Sequence, residues 1–369
     1  MFVGSAEYSE QMFLEQGSLT RAKASRAQAL GLKRYHQVGK AGGPKGLLMG
    51  RERSNPSNVM GSAPAYLALY QSGELAARAE DARLRLRSCT LCPRRCRVNR
   101  LAGELGHCRT GNLARVASYG PHFGEERPLV GRGGSGTIFF AGCNLACVFC
   151  QNHDISQPDA LLGTESTLWE TTAEELAEMM LALQSSGCEN INFVSPSHVV
   201  PQILAALLIA VGKGLCLPLV YNTGGYDALS TLYLLRGVVD IYMPDMKYSD
   251  EAVGARLSGV PDYVRHNRKA VLEMYRQVGD LMLDERGVAR RGVLVRHLVL
   301  PAGLAGTASV ARFLASEVSP DTYINVMAQY RPMHRAWACP EIARPLTREE
   351  YRQAVQEVLA AGLWRLDER

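Results

Sequence analysis

Downstream of Gly131 the chain alternates short apolar runs with longer amphipathic stretches. The apolar runs predict six strands, at residues 137–141, 190–195, 217–221, 238–243, 293–300 and 323–327. The amphipathic stretches predict helices at residues 171–186, 199–211, the residues leading up to 235, 249–278 (in one or two pieces), 308–317 and 347–363. Thr172 and Glu175 have the spacing of a capping box, which places the start of the first of these helices.

Six strands that each precede a helix favour an α/β fold with a parallel sheet and right-handed crossovers. Such units form either an open doubly wound sheet or a partial barrel, and in both folds ligands bind at the carboxyl ends of the strands. Polar and Gly-rich segments follow the predicted strands at those ends, at residues 195–198, 222–225, 244–247, 296–303 and 329–330. We therefore expect the functional site along this edge.

Upstream of the strands the chain divides into two further parts. Residues 63–130 combine one or two helices (63–86) with a Cys-rich segment (88–111), and residues 131–369 hold the strand–helix units. Residues 1–62 form a basic head without sustained periodicity, and a disordered extension is the interpretation we favour. An organelle transit peptide and a start codon read too early, with Met49 or Met60 as the true start, are the alternatives.

Composition excludes several classes of protein. With 47% hydrophobic and 21% charged residues the chain is typical of a soluble globular protein, and no apolar run approaches the roughly 20 residues that span a bilayer. Residues 1–60 hold nine Lys/Arg and four Asp/Glu, which accounts for the whole net charge of +5. The remainder is neutral, so charge gives no indication of nucleic-acid binding. Without a secretory signal we expect a cytoplasmic protein whose cysteines are reduced and bind metal.

Seven of the ten cysteines lie between residues 89 and 150, and three of them follow the first predicted strand. Cys143, Cys147 and Cys150 are spaced so that three thiolates on one loop can bind three irons of a cubane cluster. A tetrahedral zinc site would need a fourth protein ligand. Three ligands leave one iron open, which suits a catalytic site; ordinary buried cysteines are the alternative interpretation.

The segment from Thr137 to Asn152, with these three cysteines, resembles the signature of radical S-adenosylmethionine (SAM) enzymes. It is most similar to an orphan iron–sulfur group related to pyruvate formate-lyase activating enzyme, over about residues 64–363. The resemblance implies a partial (β/α)6 barrel and a 4Fe–4S cluster whose open iron is chelated by the amino and carboxylate groups of SAM. In that family an electron from the cluster cleaves SAM to give a 5′-deoxyadenosyl radical that abstracts hydrogen.

The resemblance also implies SAM contacts near the first two strands. Phe149, the aromatic residue before the last cysteine of the motif, corresponds to a position that packs near the adenine; an ordinary core Phe is the alternative. Ser195 and Ser197 occupy the place where the family has a Gly-Gly-Glu type element for the SAM amino group. Their hydroxyls can accept from an ammonium, although the chain departs from the family pattern here.

Two later strands supply further candidates. Asp245 and Lys247 resemble an Asp-x-Lys element of the activating enzymes that holds a cation or contacts SAM, with a solvated salt bridge as the alternative. Arg296 is a candidate to bind the SAM carboxylate by bidentate pairing. His297, on the opposite face of the strand, is expected to be a core histidine. Lower-ranked lining residues are Asn222, Gln329 and Tyr330.

The Cys-rich segment carries a second set of thiols, which we name the four-thiol cluster: Cys89, Cys92, Cys96 and Cys108. Four ligands make a closed site, so either a structural zinc or an auxiliary iron–sulfur cluster is expected, and the spacing does not choose between them. Of the isolated cysteines, Cys188 and Cys216 are expected to be small buried hydrophobic residues. Cys339 lies on the presumed site side, where a hydrogen-donor or substrate role is open.

Three functions follow from these patterns. The favoured one is a radical SAM enzyme that abstracts hydrogen from an unidentified substrate. The second is an activating enzyme that generates a glycyl radical on a partner enzyme, and the third is a non-catalytic iron–sulfur electron-transfer protein. Both enzyme functions require a low-potential reductant such as flavodoxin or ferredoxin.

Overall fold

The computed structural model describes residues 63–157 and 169–367. The basic head at residues 1–62 lies outside the described residues, and its interpretation stays a prediction. The described residues contain nine strands: β1 (Ala114–His122), β2 (Ser135–Phe140), β3 (Trp169–Thr171), β4 (Ile191–Val194), β5 (Leu219–Thr223), β6 (Ile241–Pro244), β7 (Met282–Leu283), β8 (Ala289–Leu298) and β9 (Tyr323–Met327).

Helices connect and flank these strands. Those in the described residues are α1 (Tyr66–Gln71), α2 (Glu74–Leu84), α3 (Arg127–Val130), α4 (His153–Ser156), α5 (Ala173–Ser185), α6 (Val200–Gly212), α7 (Leu229–Leu234), α8 (Glu251–Ser258), α9 (Tyr263–Val278), α10 (Thr307–Phe313) and α11 (Arg348–Ala360). Short helical turns occur at Arg85–Ser88, Arg100–Ala102, Pro196–His198, Pro301–Gly303, Leu314–Val318, Ala336–Ala338 and Pro340–Ile342. None of the helices in the described ranges is long and apolar enough to cross a membrane.

Six strands pair in parallel and in chain order, as β2, β4, β5, β6, β8 and β9. A doubly wound sheet would reverse this order at a switch point, and no reversal occurs among these strands. Because right-handed crossovers place successive helices on the same face, an in-order sheet of this kind curves into a barrel wall. The α/β fold with six predicted strand–helix units is thereby confirmed as an open (β/α)6 arrangement.

Three strands were not predicted from the sequence, and one of them is β7, which pairs antiparallel with β8. β1 pairs antiparallel with β2, with an irregularity between Val116 and Ser118, and β3 pairs antiparallel with β1. Both therefore extend the sheet beyond β2. The description of residues 63–130 as helical and Cys-rich omitted β1, whose run of apolar and polar residues is interrupted by Gly120 and Pro121.

Alternation along the strands separates two apolar clusters on opposite faces of the sheet. Tyr221 and Tyr242 belong to the large cluster that packs against the helices. Their neighbours Val220 and Ile241 belong to a smaller cluster on the inner face, together with Leu129 of α3. Leu129 is fully buried, so α3 closes one end of the inner face with an apolar side chain.

Several helix boundaries differ from those that the hydrophobic periodicity predicted, and the reasons are local. The stretch 249–278 is two helices, α8 and α9, because α8 ends at Gly259, whose φ of +65° is left-handed. The stretch predicted at 308–317 is regular only through α10 and then widens into a π-helical turn at Leu314–Val318. In α5 the capping box of Thr172 and Glu175 forms in both directions, as predicted.

The capping box gives a test of local stability. Replacing Thr172 with Ala removes the acceptor for the Glu175 backbone N–H, which lies 3.2 Å from the Thr172 hydroxyl. We expect the free energy of unfolding, measured by urea denaturation, to fall by about 1 kcal/mol. Thr172→Ser keeps the hydroxyl and is the matched control; an equal loss in both variants would contradict a capping role.

Candidate active site at the carboxyl edge of the barrel

The three-cysteine loop begins directly after β2 and is held from two sides. Gly142 donates its backbone N–H to the Ile155 carbonyl (2.8 Å), and Ala146 and Val148 donate theirs to the Ser258 and Leu257 carbonyls at the end of α8 (3.0 and 2.9 Å). Gly142 has a φ of +84°, and a Cβ there would collide with the Cys108 carbonyl oxygen. The loop is therefore fixed to α8 and to the Cys-rich segment at the carboxyl edge of the barrel.

Each thiol of this loop has a polar neighbour. The Cys147 sulfur lies 2.9 Å from the Ser258 hydroxyl, and the Cys150 sulfur lies 3.2 Å from the Ser156 hydroxyl. Burial, together with the neighbouring Cys147, raises the pKa of the Cys143 thiol to about 12. Burial also raises the pKa of Cys147, although the charge of Lys247 acts in the opposite direction. A cationic ligand would favour the thiolate forms that burial disfavours.

The three thiols of this loop are suitable ligands for a metal centre, but their sulfur atoms are not already arranged around a common point. Among residues 63–157 and 169–367, no three His, Cys, Asp or Glu side chains are drawn together as a metal site. The three thiols lie on one loop and close enough for their charges to interact. Binding therefore requires the sulfurs to converge by side-chain rotation, and their hydroxyl and backbone partners remain available to support them.

Beside this loop, one carboxylate joins two cations. Asp245 follows β6 and accepts hydrogen bonds from Lys247 Nζ (2.6 Å) and from Arg296 Nε on β8 (2.8 Å). The three side chains are 12, 16 and 20% exposed. Burial alone would raise the pKa of Asp245, but Arg296 and Lys247 outweigh it and lower that pKa. Asp245 in turn raises the pKa of both cations against the effect of burial, so the group carries one net positive charge.

Phe149 lies in an aromatic cluster next to the thiols. It is 5% exposed and makes edge-to-face contacts with Tyr248 and Tyr330, whose ring centroids are 6.5 and 5.9 Å away. The Tyr330 hydroxyl donates to the Ile342 carbonyl, which ties the loop after β9 to this cluster. The arrangement encloses one side of the site in apolar surface, and the expected adenine contact of Phe149 stays a prediction.

The two serines after β4 differ in their surroundings. Ser195 has a φ of +59° and is partly exposed, and its N–H donates to the Asn222 carbonyl. Ser197 is buried, and its hydroxyl lies 3.1 Å from the Thr223 hydroxyl, which donates to Asp227 (2.7 Å). Ser197 therefore belongs to a buried hydrogen-bond network after β5 that the sequence did not indicate.

The four-thiol cluster lies next to the three-cysteine loop, since its cavity is also lined by Asn144 and the Cys108 carbonyl lies against Gly142. All four of its sulfur-bearing residues line one small cavity, together with Arg94, Arg100, His107, Asn144 and His198. Burial raises the pKa of the Cys92 thiol to about 12, and the other three thiols act in the same direction. The structure thus brings together the four cysteines that the sequence grouped, whereas the metal assignment stays a prediction.

Three other sequence expectations are decided by burial and hydrogen bonding. His297 is fully buried and bonded at both ring nitrogens, to the Met246 carbonyl (2.6 Å) and the Thr307 hydroxyl (2.9 Å), so its assignment as a core histidine is confirmed. Cys188 is buried as expected. The same expectation for Cys216 is wrong: it is exposed, because it lies in the turn before β5 rather than under a helix.

The inner face also carries polar groups that the sequence analysis missed. Asn192, Arg296 and Asn325 share the inner face, since each is in register with inner-face positions of its neighbouring strands. Asn325 donates to Glu126 Oε1 (2.8 Å). Glu126 Oε2 and Asn192 Oδ1 are buried, and neither has a hydrogen-bond partner within the part of the chain that the structure describes. In the sequence, the spacing of Asn190 and Asn192 by two residues could have indicated a polar strand face. No sequence pattern marks Glu126.

The similarity of the chain to other proteins was assessed in sequence and in structure. No protein-family model matches the chain. The protein named Uncharacterized protein MJ0674, from Methanocaldococcus jannaschii, is 34% identical over 271 residues, which are 73% of this chain and 74% of that protein.

The chain belongs to the same family as this archaeal protein.

Three solved structures resemble this member of the MJ0674 family more distantly. A radical SAM methyltransferase from Sphaerobacter thermophilus is 14% identical, with 62% of this chain and 64% of that chain covered and a TM-score of 0.39. Streptococcus suis SuiB bound to precursor peptide SuiA is 12% identical, with 59% of this chain and 43% of that chain covered and a TM-score of 0.38. HydG, a maturase of the FeFe-hydrogenase, is 12% identical, with 61% of this chain and 49% of that chain covered and a TM-score of 0.42. The chain spans less than two thirds of each of these solved chains. TM-scores this low carry no assignment of function.

The charge group at Asp245 predicts a pH-dependent stability. Asp245→Asn leaves two neighbouring cations without their carboxylate, so we expect the free energy of unfolding at pH 7 to fall by about 3–5 kcal/mol. Because the folded-state pKa of Asp245 is lowered, its contribution is complete above the unfolded pKa of about 4 and is lost as the pH falls through the folded value. Urea denaturation of both proteins at pH 7, 4 and 3 should show the difference shrinking below pH 4.

Asp81→Asn is the control for this variant, because Asp81 forms an exposed helical ion pair with Arg85. It should change the free energy of unfolding by less than about 1 kcal/mol at each pH. An Asp245→Asn effect as small as this control, or one that grows below pH 4, would contradict the proposed ion pairing.

Proposed function

We propose that this chain is a radical SAM enzyme. The observation that carries the proposal is the position of the three-cysteine loop: it begins at the carboxyl end of the first strand of an in-order parallel barrel. This is the edge where such folds bind ligands. The thiols lie beside a buried group of net positive charge, at Asp245, Lys247 and Arg296.

The cofactor and the residues divide the work. When bound, a 4Fe–4S cluster and SAM would supply the one-electron chemistry that cleaves SAM and leads to hydrogen abstraction. Cys143, Cys147 and Cys150 would hold the cluster, and the charge of Lys247 favours the thiolate forms of Cys143 and Cys147. The hydroxyls of Ser156 and Ser258 are placed to donate to two of the sulfurs.

Arg296 is proposed to bind the SAM carboxylate. Its Nε donates to Asp245 Oδ1 (2.8 Å), and this hydrogen bond fixes the orientation of the guanidinium. The remaining guanidinium nitrogens can then present the paired donors that a carboxylate accepts. Asp245 acts here as a positioning residue, since it neutralises one of the two cations and aligns the other.

The aromatic cluster around Phe149 is proposed to pack against the adenine and to exclude water. Phe149, Tyr248 and Tyr330 are each at most 5% exposed. A dry environment protects a reactive radical from side reactions. The polar inner face below the site, with Asn192, Glu126 and Asn325, is where we place the hydrogen-bonding groups of the substrate.

The proposal predicts SAM cleavage that depends on three thiols. The protein is reconstituted anaerobically with iron and sulfide, reduced with dithionite and mixed with SAM, and 5′-deoxyadenosine is measured by liquid chromatography. We expect product from the wild-type protein and at least a 100-fold loss in Cys143→Ala, Cys147→Ala and Cys150→Ala, because removal of a ligand removes the cluster.

Cys216→Ala is the control, since Cys216 is exposed and lies in neither thiol group. It should form 5′-deoxyadenosine at the wild-type rate. Absence of 5′-deoxyadenosine in the wild-type protein, with no change in the EPR spectrum of the reduced cluster on addition of SAM, would leave an electron-transfer protein as the better assignment. Replacing dithionite with flavodoxin or ferredoxin then tests the expected reductant.

The role of Arg296 predicts a selective loss of affinity. Arg296→Gln removes charge-assisted hydrogen bonds worth about 1.5–3 kcal/mol, so the Kd for SAM in equilibrium dialysis should rise about 10- to 100-fold. Methylthioadenosine, which has no carboxylate, should bind both proteins equally. An equal weakening for both ligands would mean that Arg296 maintains the site structure and does not bind the carboxylate.

A further inference from the structure

The Cys-rich segment has very little of its own to hold it together. Between residues 85 and 111, its regular structure consists of two short helical turns, Arg85–Ser88 and Arg100–Ala102. Its apolar cluster has three buried members, Leu86, Cys89 and Leu91. A segment with so small a core usually needs a covalent or metal cross-link to keep a fixed conformation.

Its four cysteines enclose a space of single-atom size. All four line the same cavity, whose volume is about 10 Å³. A space of this size holds about one atom the size of a water oxygen. A single metal ion fits this space, whereas a cubane adds four irons and four sulfides and would have to push the segment apart.

A buried cation faces the same space. Arg100 is 1% exposed, its Nη1 lies 3.9 Å from the Cys89 sulfur, and none of the hydrogen bonds found for it in the described residues is to a carboxylate. It donates to the carbonyls of Gly111 (3.0 Å) and His198 (2.8 Å), and among residues 63–157 and 169–367 its buried Nη2 has no hydrogen-bond partner. A buried charge without a counter-charge is costly, so this guanidinium requires an anion nearby.

The structure assigns one structural zinc ion to the four-thiol cluster. Four thiolates around Zn²⁺ carry a net charge of −2, which supplies the anion that the hydrogen bonds of Arg100 within the described residues do not include. The sulfurs must converge on the cavity that they already line, since they are not drawn together as a preformed site. This assignment is independent of the proposed SAM chemistry.

The zinc ion would have a mechanical role, because the segment that it closes supports the three-cysteine loop. Arg94 donates to the Asn144 carbonyl (2.5 Å) and to the Gly259 carbonyl (3.2 Å). Arg100 holds the His198 carbonyl, and the His198 ring lies 2.9 Å from the Ala141 carbonyl. The Cys-rich segment therefore supports the loop through the backbone carbonyls of residues 141 and 144, which lie on both sides of Cys143.

Metal analysis of the full chain tests the assignment. Protein from cells supplied with both metals is measured by inductively coupled plasma mass spectrometry, before and after replacing Cys143, Cys147 and Cys150 together with Ala. We expect about one zinc per chain in both proteins and a loss of iron in the variant only. Zinc-edge X-ray absorption should give sulfur neighbours at about 2.3 Å.

Iron retained in that triple variant, with the Mössbauer spectrum of a 4Fe–4S cluster and without zinc, would overturn the assignment in favour of an auxiliary cluster. The absence of both metals would overturn it as well. Neither measurement depends on SAM cleavage, so a protein that binds zinc but forms no 5′-deoxyadenosine refutes the proposed function and leaves the zinc site intact.

Hydrogen–deuterium exchange tests the mechanical role. In the double variant Cys96→Ser/Cys108→Ser, the zinc content per chain should fall at least tenfold. The amide exchange rate in the peptide spanning residues 139–150 should rise at least tenfold above that of the wild-type protein. Cys216→Ala is the matched control and should keep both zinc and slow exchange. Because that double variant can misfold globally, wild-type protein treated with a zinc chelator is measured in parallel, and peptides from α6 report the global fold. Unchanged exchange at 139–150 after zinc removal refutes the mechanical role.

Discussion

The in-order parallel pairing of six strands is the constraint from which the site follows. It places every strand-to-helix connection at one edge, so residues far apart in the chain come together there without a dedicated connection. The register from β6 to β8 brings Asp245 beside Arg296, and the isolated bridge between them continues this pairing past the end of β6. The same register separates an apolar layer next to the helices from an inner face that becomes polar toward the carboxyl edge.

Both thiol groups lie against buried positive charge. Near the three-cysteine loop the positive charge is Lys247, partly balanced by Asp245, and near the four-thiol cluster it is Arg100. In a low-dielectric interior, burial of a thiol raises its pKa, and a nearby cation or metal reverses that preference. Positive charge beside clustered thiols therefore supports the proposed metal–thiolate chemistry in both places by an argument that does not use cysteine spacing.

Sequence periodicity predicted the parallel strands because each is short, apolar and followed by a helical pattern. It failed for β1, whose pairing with β2 depends on a tertiary contact and whose own pattern is interrupted by Gly120 and Pro121. Cysteine spacing predicted which thiols lie near each other, because the members of each group are local in sequence, and their role as metal ligands stays a prediction. Glu126 could not be found in this way, since it is 199 residues from its partner Asn325 and no motif marks either one.

The geometry between the two thiol groups suggests why they occur together. Asn144 lies between them: its carbonyl accepts from Arg94 of the Cys-rich segment, and its side chain donates to the Tyr226 carbonyl after β5. A loop that must present three thiols to one metal centre loses conformational entropy when it is ordered, and a rigid neighbour reduces the part of this cost that falls on cluster binding. The proposed zinc ion would suit this task, because zinc is redox-silent and its coordination would not change during one-electron chemistry at the proposed neighbouring cluster.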